Sequence, residues 1–197
     1  DDAKGLYFEA LGSGHFTSGI VHGIGCSSTE VGPPKDMFWE IYASARSKGI
    51  PLTAHAGEEG DASYIRAALE IGAQRIDHGV KLVQDPELMK RVAKEEILLT
   101  VCPLSNVRLC CFEEIAQVPI RTFLDAGIKF SINSDDPAYF GGFILKNYCA
   151  VQEAFNLSVH EWRTIAENSV RGSWVSDARK SELLRLIDEY VQRHITG

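Results

Sequence analysis

Short apolar runs alternate along the chain with longer stretches in which apolar side chains recur every three or four positions. Runs of the first kind predict strands, and stretches of the second predict amphipathic helices. The strands fall at about 17–26, 50–55, 75–78, 97–101 and 128–132. Helices are predicted over 1–11, 36–47, 61–71, 85–94 and 119–126, then over 143–155, 158–169 and 176–194. Local chemistry sets their limits. Pro33 and Pro34 suit a helix start. Asp61 or Ser63 can cap the next helix, which Gly72 closes. Asp85-Pro86-Glu87 opens the one after. The segment Cys102-Pro103-Leu104-Ser105-Asn106 reads as a loop at the end of the fourth strand. Alternation of strand and helix with short connections implies an α/β fold, a parallel sheet covered by helices.

Composition narrows the class. The 197 residues are 45% hydrophobic and 24% charged, which suits one globular domain over 1–197. No apolar run approaches the roughly 18 residues that span a membrane, and no signal peptide is visible. The formal charge is −7, which argues against a long nucleic-acid footprint. The five cysteines are Cys26, Cys102, Cys110, Cys111 and Cys149. Their odd number and the lack of a Cys-x-x-Cys pair fit a reduced, intracellular protein without a zinc–thiolate site. A cytoplasmic location is expected, with the nucleus as a further compartment.

Groups that can do chemistry stand just after strands and never just before them, where α/β barrels and open α/β sheets carry their sites. Three such tips occur: His55 with Glu58, Asp77-His78-Gly79, and Asp135-Asp136. An imidazole and a carboxylate suit zinc with one open position. Glu58 could shuttle protons, and a histidine off the metal, His78, could orient or deprotonate an attacking water. Each tip has a plainer reading. His78 could be a core histidine bonded to a backbone carbonyl, Asp135-Asp136-Pro137 a turn or helix cap, and Glu58-Glu59 solvated charge. Cys102 at a strand end is a weak nucleophile candidate, since no base is tied to it. His22 is expected to face the interior, and His15, His160 and His194 the surface.

Taken in order, His55-Ala56-Gly57-Glu58, Asp77-His78-Gly79, Cys102-Pro103-Leu104-Ser105-Asn106 and Ser134-Asp135-Asp136-Pro137 resemble the adenosine/adenine deaminase family of metal-dependent hydrolases. The resemblance runs from about Gly14 to Trp174. Segments 131–142 and 147–155 are most similar to the adenine deaminases of fungi and bacteria. The resemblance implies a (β/α)8 TIM barrel, of which this chain covers about the last five βα units plus C-terminal helices. It implies one Zn2+ per subunit, with His55 and Asp135 as ligands. Glu58 would donate a proton to purine N1, His78 would activate the water that attacks C6, and Asp136 would bind N7. A backbone amide near Ser27 and Ser28 would hold N3. A bulkier loop there suits a base without its ribose.

The family takes two further zinc ligands from a His-x-His pair on its first strand, and this chain has no such pair. By the resemblance the chain starts after the third strand, and alone it is expected to be inactive or nearly so. An open five-stranded sheet is expected to expose two edges and an apolar inner face. The reaction implied for the whole protein is hydrolysis of adenine to hypoxanthine and ammonia, with adenosine or an N6-substituted adenine as alternatives. Two other readings stay open. One is a non-catalytic half-barrel that pairs with a partner or with itself through its sheet edges. The other is a barrel hydrolase acting on a different amine. The expected partner is a small-molecule purine, with no nucleic acid and no membrane. The deaminases that use His-x-Glu with Pro-Cys-x-x-Cys are disfavoured, because here the acid follows three residues after the histidine.

Overall fold

The computed structural model describes residues 2–27, 29–32 and 36–195. Among these, five strands form one parallel sheet in chain order: β1 (Ile24–Cys26), β2 (Leu52–Ala56), β3 (Arg75–His78), β4 (Leu98–Val101) and β5 (Phe130–Ile132). The intervening helices are α2 (Asp36–Ser47), α3 (Ala62–Glu70), α4 (Pro86–Lys94), α5 (Pro103–Arg108) and α6 (Ile120–Asp125). Helix α1 (Asp2–Gly12) precedes the sheet, and α7 (Pro137–Phe140), α8 (Ile144–Phe155), α9 (Val159–Arg171) and α10 (Asp177–Ile195) follow it. Sequential parallel order with a helix after each strand is the architecture of part of a (β/α)8 barrel.

Residue alternation along the strands divides the sheet into two unlike faces. Ala54, Ala56, Ile76, Leu99, Val101, Phe130 and Ile132 belong to a buried cluster that includes Ile65, Leu88, Val92 and Phe123 from the helices. That layer is the core. On the other face the register aligns Thr53 with Arg75, His55 with Asp77, Asp77 with Thr100, and Thr100 with Ser131. The expectation of an apolar inner face is therefore wrong. Thr53 and Thr100 each donate a hydroxyl proton to Asp77, both at 2.9 Å. Side chains of three adjacent strands are tied together in this way. Below them the Arg75 guanidinium stacks on the Trp174 ring, 3.9 Å from its centroid.

Three further differences from the sequence reading have local causes. Strand β1 is much shorter than 17–26, because Gly14 and Gly19 adopt φ of 72° and 73° and turn the chain before it can extend. His22 is exposed, just ahead of that strand. The segment after β4 is helix α5 rather than a loop, since Pro103 occupies its first turn, where a missing N–H costs nothing. The helix start expected at Pro33 and Pro34 lies outside the described residues.

Helix α9 begins with a reciprocal cap. Ser158 Oγ accepts from the Glu161 amide at 3.3 Å, and Glu161 Oε2 accepts from the Ser158 amide at 2.7 Å. That amide, the Ser158 hydroxyl and the neighbouring Arg121 guanidinium hold the Glu161 carboxyl down at about 2. A depressed carboxyl stabilises the fold above its ordinary value near 4.5 and loses that contribution as the pH falls through about 2. Thermal unfolding followed from pH 6 to 2 should therefore show a smaller acid loss in Glu161→Gln than in wild type. Ser158→Ala should cost about 1 kcal/mol at pH 7.

Candidate active site

The site lies in a cleft of about 430 Å3 lined by Ser27, His55, Arg75, Asp77, His78, Thr100, Cys102, Asn133 and Asp135. His55 is inside β2, His78 ends β3, Cys102 follows β4, and Asn133 and Asp135 follow β5. The carboxyl ends of the strands thus bring together residues far apart in sequence. Two of these residues sit in left-handed backbone: His78 has φ 65° and Asp135 φ 55°. Such conformations cost side-chain-bearing residues of order 1–3 kcal/mol and persist where the surroundings impose them. Gly57 and Gly79, at φ of 72° and 71°, complete the two turns. A Cβ on Gly57 would sit 2.5 Å from Ile65, and one on Gly79 2.8 Å from Leu99. Only glycine lets these turns press onto the core.

Glu58 turns back toward His55 and His78, as its spacing from His55 suggests. Its Oε2 lies 3.1 Å from His55 Nε2 and its Oε1 3.1 Å from His78 Nδ1. The two imidazole rings meet edge to face with centroids 4.5 Å apart. His78 Nε2 is 3.8 Å from Asp135 Oδ2. Potential ligand atoms of His55, Glu58 and His78 lie within 4.8 Å of one another, as do those of His78, Cys102 and Asp135. Sequence-expected residues thus converge, with His78 common to both sets. Ser27 lines the same cleft. Asp136 does not: it is exposed, at the start of α7, and makes no side-chain cap bond. Ser28 lies outside the described residues.

Burial lowers the basicity of His78 more than the Glu58 carboxylate raises it, so the ring is held below its ordinary value. His55 moves the other way. Burial disfavours its charge, but Glu30 and Glu58 outweigh that and raise it to about 10. Cys102 is buried, and burial followed by the Asp135 and Glu58 carboxylates pushes its thiol far up. That removes it as a nucleophile.

Two parts of the site escaped the sequence reading. Asn106 in α5 is fully buried, and its Nδ2 donates to Glu58 Oε1 at 2.7 Å while lying 3.3 Å from His78 Nδ1. Its neighbour Ser105, also fully buried, donates to Asp135 Oδ2 at 2.6 Å. Reading this segment as a loop hid the fact that consecutive helical residues reach different acids. Helix α5 is itself held by Asn147 of α8, whose Oδ1 accepts from the Leu104 amide at 3.1 Å. The second omission is Glu30, a buried carboxylate 2.9 Å from His55 Nδ1. It stands in an irregular segment between β1 and α2, where no pattern marks it.

A family model described as adenosine deaminase matches residues 9–190. The chain belongs to the adenosine deaminase family. It is 72% identical over 194 residues to an adenine deaminase of Aspergillus fumigatus, covering 98% of this chain and 55% of that protein. The crystal structure of adenine deaminase from Arthrobacter aurescens superposes with a TM-score of 0.87 at 42% identity, covering 96% of this chain and 58% of that one. A Burkholderia ambifaria amidohydrolase solved with bound Zn superposes at 0.81 with 26% identity, covering 95% and 54%. The chain spans about half the length of the curated relatives it matches.

Within this family member the cysteines should differ sharply toward a thiol reagent. Cys110 and Cys149 are exposed, whereas Cys102 is buried. Iodoacetamide at pH 8, followed by peptide mass spectrometry, should label Cys110 and Cys149 first and leave Cys102 unmodified until the chain unfolds. Early labelling of Cys102 would restore it as a reactive thiol.

Proposed function

We propose that the whole protein hydrolyses adenine to hypoxanthine and ammonia, and that this chain carries its acid and base. The approach of Glu58 and His78, from separate βα units, to 3.1 Å beside the cleft that His78 lines supports this reading. So does the 72% identity to a protein named adenine deaminase.

The donor set suits a zinc ion: two imidazoles and carboxylates crowd one space with few cations among them. His55 and Asp135 would hold the ion, which when bound supplies a Lewis acid that lowers the pKa of water. A further coordination position would be left to water.

The chain's own residues then divide the proton transfers. Adenine must gain a proton at N1 as water adds to C6, and the C6–N6 bond must break with a proton on the leaving nitrogen. Glu58 donates to N1, with Oε1 fixed by Asn106 and Oε2 beside His55 Nε2. His78 is held neutral by burial and so can accept the proton of the attacking water. A proton on its Nδ1, facing Glu58, leaves Nε2 as the basic nitrogen. Asp136, exposed at the start of α7, would bind N7, and the backbone near Ser27 and Ser28 would bind N3. Five unpaired cysteines suit a reducing compartment, and this reading places the protein in the cytoplasm. A second reading, self-association of a half-barrel, draws on the two open edges at β1 and β5.

Ammonia release from saturating adenine, measured on the full-length protein, tests the roles. Glu58→Gln and His78→Ala should each lower kcat by roughly 10²–10⁴-fold. Turnover within tenfold of wild type in either variant removes that residue from the chemistry. A kcat/KM for adenosine above that for adenine overturns the choice of substrate.

A further inference from the structure

Glu30 is a carboxylate with almost no access to water: its side chain is 2% exposed. An ionised group buried so deeply is costly unless it is paired and hydrogen-bonded. All its partners come from one short segment, the end of β2 and the turn after it. Oε2 accepts from the Gly60 amide at 2.6 Å and from the Glu58 amide at 3.1 Å. Oε1 lies 3.2 Å from that same Glu58 amide and 2.9 Å from His55 Nδ1. The imidazole contact is out of line for a hydrogen bond in this arrangement, so its attraction is electrostatic. The approach requires glycine at residue 60, because a Cβ there would stand 2.8 Å from Glu30 Oε2.

From these contacts we infer that Glu30 is the positioning residue of the site, orienting His55 as a metal ligand and fixing the backbone that carries Glu58. The inference rests on the proposed role of His55. An imidazole has two nitrogens, and the one that stands against a buried carboxylate keeps its proton and is not available to a metal. With Nδ1 facing Glu30, the nitrogen offered to the cleft is Nε2, the atom that also faces Glu58. The same carboxylate pins the amides of Glu58 and Gly60, so ligand and acid are set by one anchor. A rival reading treats Glu30 as a purely structural clamp for the turn. The two differ at His55 alone.

Glu30→Gln separates them. The glutamine amide keeps the size and an oxygen for the backbone N–H groups, but it carries no negative charge to face the Nδ1 proton. Zinc affinity would be measured on the full-length protein by competition with a chromophoric chelator, beside His55→Ala, with thermal unfolding as the check on folding. The expected result is a loss of about 10–100-fold in zinc affinity for Glu30→Gln, an unfolding midpoint close to wild type without metal, and a larger affinity loss for His55→Ala. Unchanged zinc affinity in Glu30→Gln with a clear loss in His55→Ala would overturn the inference and leave the site reading intact. Unchanged affinity in both would overturn the two together. Should Glu30→Gln fail to fold, nitrogen-15 NMR of the zinc-loaded wild type decides. A protonated Nδ1 with zinc on Nε2 of His55 supports the inference, and zinc on Nδ1 overturns it.

Discussion

Crowding of negative charge is the constraint around which this structure is arranged. Glu30, Glu58 and Asp135 approach two imidazoles from separate segments, and Asp77 lies one strand across from His55. Like charges this close repel strongly in a medium drier than water, and the fold answers each with a partner of its own. Asp77 receives two threonine hydroxyls, Asp135 receives Ser105, Glu58 receives Asn106, and Glu30 receives two backbone amides. None of these partners carries a charge. The remaining compensation near His55 is its own proton, which the two flanking carboxylates hold in place up to about pH 10. A dication between these groups would replace that proton and offset more of the charge. This is the physical content of assigning the site to a metal.

The sheet makes such crowding affordable because its two faces do different jobs. The outer face, with Ile76, Leu99, Phe130 and Ile132, binds the helices through an apolar layer and supplies stability. The inner face carries the threonines, acids and imidazoles. One-residue slippage of any strand would exchange the two sets, so apolar packing on one side fixes the register that the chemistry needs on the other. The glycines at residues 57 and 79 act at the same junction. They press the turns beside Glu58 and His78 against Ile65 and Leu99, and so tie the position of those two residues to the core.

Much of this was legible in the chain. Alternation of apolar runs marked β2 to β5, and an acid or imidazole after a strand marked His55, Glu58, His78 and Asp135, because a parallel sheet gathers its carboxyl ends at one rim. What escaped notice had other causes. The polarity of the inner face was visible in Thr53, Arg75, Asp77 and Thr100, which alternate with the apolar positions along their strands. Ser105 and Asn106 were hidden by a helix mistaken for a loop. Glu30 was invisible in principle: its importance comes from a fold that carries an irregular segment over a turn some thirty residues later in the chain, and no local spacing encodes that approach.

The polar inner face also changes how a half-barrel should behave. Exposed apolar surface would drive indiscriminate association, but here the inner wall consists of side chains that already satisfy one another across three strands. Among the described residues β1 and β5 are the edges of the sheet, and each has only three residues. Short edges offer few ladder hydrogen bonds to a stray strand. Pairing at these edges is therefore governed by shape and register more than by general stickiness. The strands that suit them are those whose inward side chains can also meet Asp77, Asp135 and His55.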